Sequence, residues 1–417
     1  MAKALQTDVI IAGAGIAGAT LALALKRGGL SSILVDPQPF EAQLAPSFDG
    51  RASAIAFSCF RQWRTLRAGG LIEPHAQRIE QILVTDGRTP GAAPGLELSS
   101  FLRFDAAEIA DRTADEPLGY MVENRHIRAG LAQAVGEAGV QVLAPARVNG
   151  VEVDGAGART ILDDGRVIEA RLLVGCDGRG SRVREAAGIG VVGWPYGDVG
   201  VVATVALERP HQGVAHEHFM PSGPFAILPL PGDRASLVWT EKAARGRALK
   251  AARPDVFHAH LNRRFGDLLG RATVAGPVFL YPLALELAER MTAPRIALLG
   301  DAAHGVHPIA GQGLNLGLKD CAALAEVLAE ASRLGEDIGS EVVLERYARW
   351  RRSDNVALAA ATDAFNRLFS TDLPLVRLAR GAGMAVVNRV GPARRFFMQE
   401  AGGATGDLPR LLRGEAL

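Results

Sequence analysis

The sequence predicts an α/β chain in which a parallel, doubly wound domain is interleaved with an antiparallel-sheet domain and followed by C-terminal helices. Three observations carry this. Apolar strands that run into glycine turns occur at the start, in the middle and late in the chain. Short alternating strands punctuated by Pro and Gly occupy the span between the last two of them. The residues from Glu341 onward read as helix, with arginines and apolar residues mixed. At 417 residues the chain is long for a single core. The expected division is 1–75, 104–184 and 281–340 for the doubly wound domain, 76–103 and 185–280 for the sheet domain, and 341–417 for the helical tail.

In chain order, Asp8–Ala12 (DVIIA) reads as a buried parallel strand, Ile16–Arg27 as an Ala/Leu-rich helix stopped by Gly28-Gly29, and Ser32–Asp36 as a second strand. The uncharged run Val9–Leu25 mimics a targeting signal. Asp8 directly before it and Gly13, Gly15 and Gly18 within it instead indicate a strand entering a helix. Thr85–Phe101 is rich in Gly, Pro and Ser and reads as a loop or hairpin excursion. Asn124–Ala138 has helical spacing, with Ile127, Leu131 and Val135 on one face. Val140–Val153 and Arg159–Ile168 alternate like strands, and Arg171–Gly175 is a further buried strand. From about Val199 to Glu241 the segments VVATVAL, AHEHFMP, GPFAILPL and ASLVWTE predict an antiparallel sheet. Pro294–Gly300 returns to a buried strand, and Leu314–Leu328 is a helix.

Composition excludes several functions. A net charge of +1 with 22% charged residues gives no basic footprint for nucleic acid. The three cysteines, Cys59, Cys176 and Cys321, lie far apart, which argues against a zinc knuckle, an iron–sulfur cluster or a disulfide framework and suits a reducing, cytoplasmic setting. No segment reads as long and apolar enough to span a bilayer.

Four motifs carry chemistry. Gly13-Ala14-Gly15-Ile16-Ala17-Gly18 follows a strand and opens a helix, with Asp36 at the end of the next strand. That is the context in which G-x-G-x-x-G binds a dinucleotide. Gly13 permits the turn, Gly15 lets the backbone approach a pyrophosphate, Gly18 lets the helix pack on the sheet, and Asp36 accepts from a ribose. A second match, Gly188 to Gly193, follows a helical segment and precedes Trp194-Pro195, where a helix should begin. It is expected to be a plain loop. Gly175-Cys176-Asp177-Gly178 places Asp177 at the carboxyl end of a strand, where ligands collect and where it can also cap the next helix. Finally, in Gly300–Asp320 (GDAAHGVHPIAGQGLNLGLKD), Asp301, His304 and His307 have spacing open to a zinc site. Asp301–His304 could also form a proton-transfer pair. The glycines at 311, 313 and 317 point instead to a backbone cradle opening a helix.

In this order, together with Asp49-Gly50-Arg51-Ala52-Ser53-Ala54, the motifs resemble the class A flavoprotein aromatic hydroxylases over nearly the whole chain. His307–Asp320 resembles the signature of the ubiquinone-biosynthesis hydroxylases among them. The resemblance implies a Rossmann-like FAD-binding domain, with FAD as cofactor, NAD(P)H as transient electron donor and O2 as co-substrate. It implies that Gly13, Gly15, Ile16, Ala17 and Gly18 hold the pyrophosphate and Asp36 the ribose. Arg51, Arg125 and Asp301 would contact the ribose, pyrophosphate or ribityl region, and Asp177 the flavin or the nicotinamide donor. Gly311, Gly313, Leu314 and Asn315 would line the isoalloxazine, with Pro308 and Gln312 nearest the chemistry and no metal involved.

The implied reaction is hydroxylation of a polyprenylated phenol through a flavin C4a-hydroperoxide. A prenyl reductase, an oxidase, a hydroxylase of another aromatic metabolite and an accessory protein without FAD share the scaffold. No base for the phenol is evident. His216, His218 and Tyr281 are the candidates. The resemblance also implies a multi-enzyme biosynthetic assembly. In the tail, Phe365, Leu368, Phe369, Leu373, Leu375 and Val376 alternate with Arg367, Arg377 and Arg380, which suggests peripheral contact with the inner membrane.

Overall fold

The protein is described from a computed structural model that covers residues 3–45, 49–85, 101–108, 116–220, 222–266, 268–306, 311–369, 387, 390–391, 398–399, 402–403 and 405–417, with only the backbone at 101 and 365–369. Two large sheets and one small one organise it. The first has eight strands in the order Thr292–Ala293, Ile296–Leu298, Val167–Gly175, Leu5–Ala12, Ser32–Val35 and Gln141–Leu143, with Ala158–Leu162 and Val148–Val153 beside the 167–175 strand. The strand Leu5–Ala12 sits centrally, parallel to Val167–Gly175 on one side and Ser32–Val35 on the other. Val9 to Ala12 are buried, as a parallel strand covered on both faces should be. The helix Ile16–Arg27 is buried from Gly18 to Leu25, packed between the sheet and the helices Asn124–Glu137 and Gln312–Arg333. The stretch resembling a targeting signal is therefore the core of this domain, and among the described residues no helix is long and apolar enough to cross a membrane.

The second sheet has nine strands, largely antiparallel: His304–Gly305, Phe279–Ala288, Val191–Leu207, Arg234–Lys242, Gly223–Leu230, Val214–Met220, Gln81–Thr85 and Phe101–Asp105, with Ala272–Val274 alongside 191–207. Its two faces differ. Phe225, Ile227, Leu237 and Trp239 face a core completed by the helices Ala243–Ala251 and Pro254–Phe265. The opposite face, with Ile82, Val84, Leu102, Ala215 and Leu228, packs with Ala52, Ala54 and Met121 of the three-stranded sheet Ala52–Ala56, Gly119–Glu123 and Ala76–Ile79. That second contact brings the two larger sheets together.

Several expectations change. The expected loop around Gly188–Gly193 gives way to the 17-residue strand Val191–Leu207, which runs through Trp194-Pro195. Pro195 is tolerated because the pairing with Phe279–Ala288 breaks register between Pro195 and Val199, a bulge where a ladder N–H is dispensable. No helix follows the glycines, so no second dinucleotide cradle forms there. The run 140–153 splits at Pro145 into Gln141–Leu143 and Val148–Val153, and 159–168 splits at the Asp163–Arg166 turn. The strands 81–85 and 101–105 pair antiparallel, as a hairpin excursion requires, while 86–100 lie outside the described residues. The late helix starts at Gln312, two residues before the expected start. The tail contains the helices Glu341–Phe369 and Arg410–Arg413. The side chains from Phe365 to Arg380 named above lie outside the described residues.

Candidate active site

Four loops leave the carboxyl ends of neighbouring parallel strands and meet at one edge, where open α/β sheets collect ligands. Gly13 N donates to Val35 O at 2.7 Å and Cys176 N to Ala12 O at 2.7 Å, so the first, second and third loops are tied to adjacent strands. Leu299 N donates to Gly175 O at 3.1 Å and brings in the fourth.

The first loop is a backbone surface. Gly13 has φ +105°, and a methyl group there would lie 2.4 Å from Cys176 O. A methyl on Gly18 would lie 1.9 Å from Gly13 O. At Gly15 a methyl would meet nothing within 4 Å, so the space beside it is open. Gly15 is also the N-cap of the Ile16–Arg27 helix, which has no side-chain cap and no acidic residue in its first turn. The positive end of the helix, with the amides of Ile16 and Ala17, is therefore left for an external anion. Asp36 accepts from Ala14 N at 2.7 Å and Gln38 N at 2.8 Å, and burial raises its pKa against these two bonds. Each of its oxygens keeps a lone pair for a hydroxyl.

Asp177 accepts from Arg182 N at 2.8 Å and Val183 N at 3.2 Å through Oδ2, which caps the following helix as anticipated. Its Oδ1 is buried without a partner among the described residues, as is Nε of Arg125. The orphaned Oδ1 of Asp177 lies at the ligand edge, where a bound polar molecule would satisfy it. Arg125 otherwise holds Glu123 at 3.2 Å.

The fourth loop differs from a simple strand end. Asp301 lies in the 3-10 turn Gly300–Ala302 and is exposed. His304 does not pair with Asp301. Its Nε2–H donates to Asp320 Oδ2 at 2.5 Å, while Asp320 also accepts from Gly300 N at 3.2 Å and Arg351 Nε at 2.9 Å. Asp320 and Arg351 are 0% and 2% exposed, so this is a buried charge cluster under the loop. Burial opposes the charged form of Asp320, but His304 and then Arg351 hold its carboxyl below the usual range. The Asp301–His304 proton pair is corrected by this arrangement, because Asp320 takes up His304. His307 and Pro308 lie outside the described residues, and among the described residues no cluster of three metal-ligating side chains forms.

The helix Gln312–Arg333 opens on Gly311, a left-handed N-cap with φ +64° and no side-chain cap. A methyl there would press on Ala54 Cβ at 3.1 Å, whereas one on Gly313 would reach Val306 at an ordinary 3.6 Å. Gln312 and Leu314 are half-buried at this helix start. Asn315 is 1% exposed, and its amide is committed to protein: Ala56 N donates to Oδ1 at 2.9 Å, and Nδ2 donates to Ala54 O at 2.8 Å. Asn315 thus clamps the 52–56 strand to the helix.

A hub that sequence reasoning missed is Asp49. Its 4%-exposed carboxylate receives Arg51 Nε at 2.8 Å and Nη2 at 2.9 Å, Arg128 Nη2 at 2.8 Å, Asn124 Nδ2 at 3.0 Å and Tyr281 OH at 3.1 Å. Burial acts to raise its pKa, but Arg51, Asn124 and Arg128 together hold it far below the carboxylate range. The signal was the Asp49-x-Arg51 pair combined with Asn124 and Arg128 at i,i+4. The hub joins a loop, a helix and the nine-stranded sheet, and a methyl on Gly50 would lie 2.0 Å from Phe279. Arg51 stacks over Tyr281 at 4.9 Å, yet half its side chain remains exposed for a ligand. Burial lowers the Arg51 pKa, and Asp49, then Tyr281 and Asp301, more than reverse this.

Of the candidate bases, His216 and His218 point to the helix-covered face, with His218 opposite Phe225 and bonded to Thr85 at 2.6 Å. Burial pushes both imidazoles down to about 4, so they are neutral structural groups near pH 7. Tyr281 already donates to Asp49.

Glycine backbone, two uncapped helix starts, orphaned polar atoms and an exposed arginine fit an anionic dinucleotide. The FAD binding domain family matches residues 6–361, and the chain belongs to it. It is an FAD-dependent enzyme of the monooxygenase class, with NAD(P)H and O2 as the reaction partners of its cofactor. Among its relatives, a ubiquinone hydroxylase, UbiL, of Rhodospirillum rubrum is 46% identical over 98% of this chain and 93% of its own. The 3-demethoxyubiquinol 3-hydroxylase of Escherichia coli is 33% identical over 95% of this chain and 98% of its own. The crystal structure of p-nitrophenol 4-monooxygenase PnpA from Pseudomonas putida superposes with a TM-score of 0.78 over 96% of this chain and 99% of that one. At 18% identity it shares the fold.

Proposed function

We propose that this chain hydroxylates the aromatic ring of a polyprenylated phenol in ubiquinone biosynthesis. The observation that carries this reading is the 46% identity to a ubiquinone hydroxylase over 98% of the chain, joined to an intact dinucleotide cradle. Bound FAD supplies the redox chemistry, taking electrons from NAD(P)H and delivering one atom of O2 to the ring.

The chain's own residues do the rest. Gly13, Gly15, Ile16, Ala17 and Gly18 present backbone to the pyrophosphate, and Asp36 accepts from the adenosine ribose. Arg51, Arg125 and Asp301 take the ribityl and phosphate side, and the orphaned Oδ1 of Asp177 accepts from the cofactor or the donor. Gly311, Gly313 and Leu314 face the isoalloxazine, where the start of the 312–333 helix favours negative charge on the ring. Asn315 acts one step behind, holding the 52–56 strand in place. Pro308 and Gln312 border the reacting edge and exclude water from it. Residues 1–75, 104–184 and 281–340 form the FAD domain, and 76–103 with 185–280 the substrate domain. The tail 341–417 contributes peripheral membrane contact and docking within a biosynthetic assembly, which suits an apolar prenyl substrate.

Profiling quinone intermediates in a strain lacking the gene tests the reading. A prenylated phenol short of one hydroxyl should accumulate and disappear on complementation. An unchanged ubiquinone profile would overturn it.

A further inference from the structure

The strand Val214–Met220 carries a carboxylate that nothing above uses. Glu217 lies between Val84 and Ala226 in the sheet, and the row continues through Leu102 on one side and Val238, Val202 and Phe279 on the other. Residues directly opposite one another share a face, so Glu217 stands in a line of apolar side chains. This is the face turned away from the helix-covered core. Its members Ile82, Val84, Leu102 and Leu228 pack in one cluster with Ala52 and Ala54, and Ala54 is the residue that Gly311 and Asn315 touch. The line ends at Phe279, against Gly50. Glu217 thus stands on the sheet face that packs on the Ala52–Ala56 strand, which the start of the 312–333 helix clamps from its other side.

A carboxylate in such a place needs a reason. Among the described residues no hydrogen bond or ion pair reaches Glu217, and burial alone pushes its pKa up to about 8. The side chain is half-buried, neither packed shut nor in bulk solvent. Leaving a carboxylate unpaired in apolar surroundings is costly unless a ligand completes it.

We propose that Glu217 is the catalytic residue that binds the phenolic hydroxyl of the substrate and takes its proton as the ring is hydroxylated. The proposal rests on the aromatic-hydroxylase reading above. With bound FAD supplying the redox chemistry, the ring carbon would form its new C–O bond to one atom of O2 as the O–O bond breaks, and electron density would flow from the phenolic oxygen as its O–H bond breaks to Glu217. The ring carbon then loses its own hydrogen as a proton, the ring regains aromaticity, and Glu217 returns its proton to the phenolic oxygen. NAD(P)H supplies the two electrons, and the second oxygen atom leaves as water. An ordinary Glu at about 4.3 is roughly six units from a phenol at about 10. The raised value of Glu217 closes most of that gap, which is how a general base is matched to its acid.

The test uses the FAD-loaded protein with a phenol bearing a single isoprene unit, following ring-hydroxylated product against pH. The charged groups that share this face are Tyr281, Arg234 and the Asp198–Lys242 pair, and those on segments packed against it are Asp49, Arg51 and Glu123. Asp49 is held far down and Tyr281 is raised by burial, so the limb assigned to Glu217 stands apart from both. In the wild type kcat/KM should rise with pH and level off above about 8. E217Q should lose that limb and drop in kcat on the order of 100-fold with a much smaller change in KM, while E217D should keep the limb. Bound FAD absorbance reports that each variant is folded. An E217Q enzyme with wild-type kcat and an unchanged pH limb would overturn the proposal. So would a flat wild-type profile, which needs no variant. A wild type that holds FAD yet forms no hydroxylated phenol at any pH defeats the broader functional reading instead.

Discussion

The eight-stranded and nine-stranded sheets contribute to the site by opposite means. The parallel sheet offers strand ends, where glycines at 13, 15, 18 and 311 clear side chains away so that backbone amides face a ligand. The antiparallel sheet offers a face, where a single side chain such as Glu217 stands in an otherwise apolar row. Backbone binding depends on the absence of atoms and leaves its mark in local sequence. A sheet face is assembled from five or more strands scattered over the chain, and its pattern exists only once register is known.

The largest expected effect lies beneath the backbone-built half. Asp320 supports the 300–306 loop through Gly300 N and His304 and neutralises Arg351. Asp320→Ala strands a buried guanidinium and should cost about 3–5 kcal/mol, measured by chemical denaturation of the FAD-free protein. A loss below about 1 kcal/mol would show that the cluster is solvated. The pH sign follows from the depressed pKa values of Asp49 and Asp320. Their stabilisation is complete above the unfolded carboxylate value near 4 and fades as pH falls below it. The part of the stability that these two carboxylates supply should therefore hold from neutrality down to about pH 5 and be lost steeply in acid, a loss that Asp320→Ala blunts.

Two glycines sharpen the contrast between folding and binding within one hexapeptide. Gly18→Ala forces a methyl to 1.9 Å from backbone that cannot swing away, and should cost about 3 kcal/mol or more together with FAD. Gly15→Ala meets nothing within 4 Å and has ordinary φ, so it should leave the FAD-free protein within about 0.5 kcal/mol of wild type. Its methyl would enter the space where a pyrophosphate must approach, and FAD affinity should drop at least about tenfold, or roughly 1.4 kcal/mol. Equal effects of the two substitutions on stability would break the distinction.

The same contrast explains what was legible in the sequence. The strand, glycine turn, helix and Asp36 lie within 30 residues, so their local structure is legible in the sequence. The order of motifs located the late cradle as well. Asp49 was quoted as part of a motif, but its role as a hub depends on Asn124, Arg128 and Tyr281, separated from it by 75, 79 and 232 residues. His304 lies nearest in sequence to Asp301, whereas the strand-turn geometry turns it to Asp320, more than two helical turns into the following helix. Pro195 rules out a helix and suggests a loop in the sequence, and the strand that runs through it depends on the bulge beside it. Glu217 sits between two histidines that drew notice for their chemistry. The alternation of a strand sends those histidines to the far face and leaves the glutamate on the near one.

The central claim is that an FAD cradle on one sheet and a substrate face on the other together insert oxygen into a phenol ring. Turnover of the FAD-loaded protein with NAD(P)H, the single-isoprene phenol and isotopically labelled O2 tests it most directly. The account predicts one labelled oxygen atom on the ring of each product molecule and no product without O2. Product that forms anaerobically, or that carries its new oxygen from water, would contradict it.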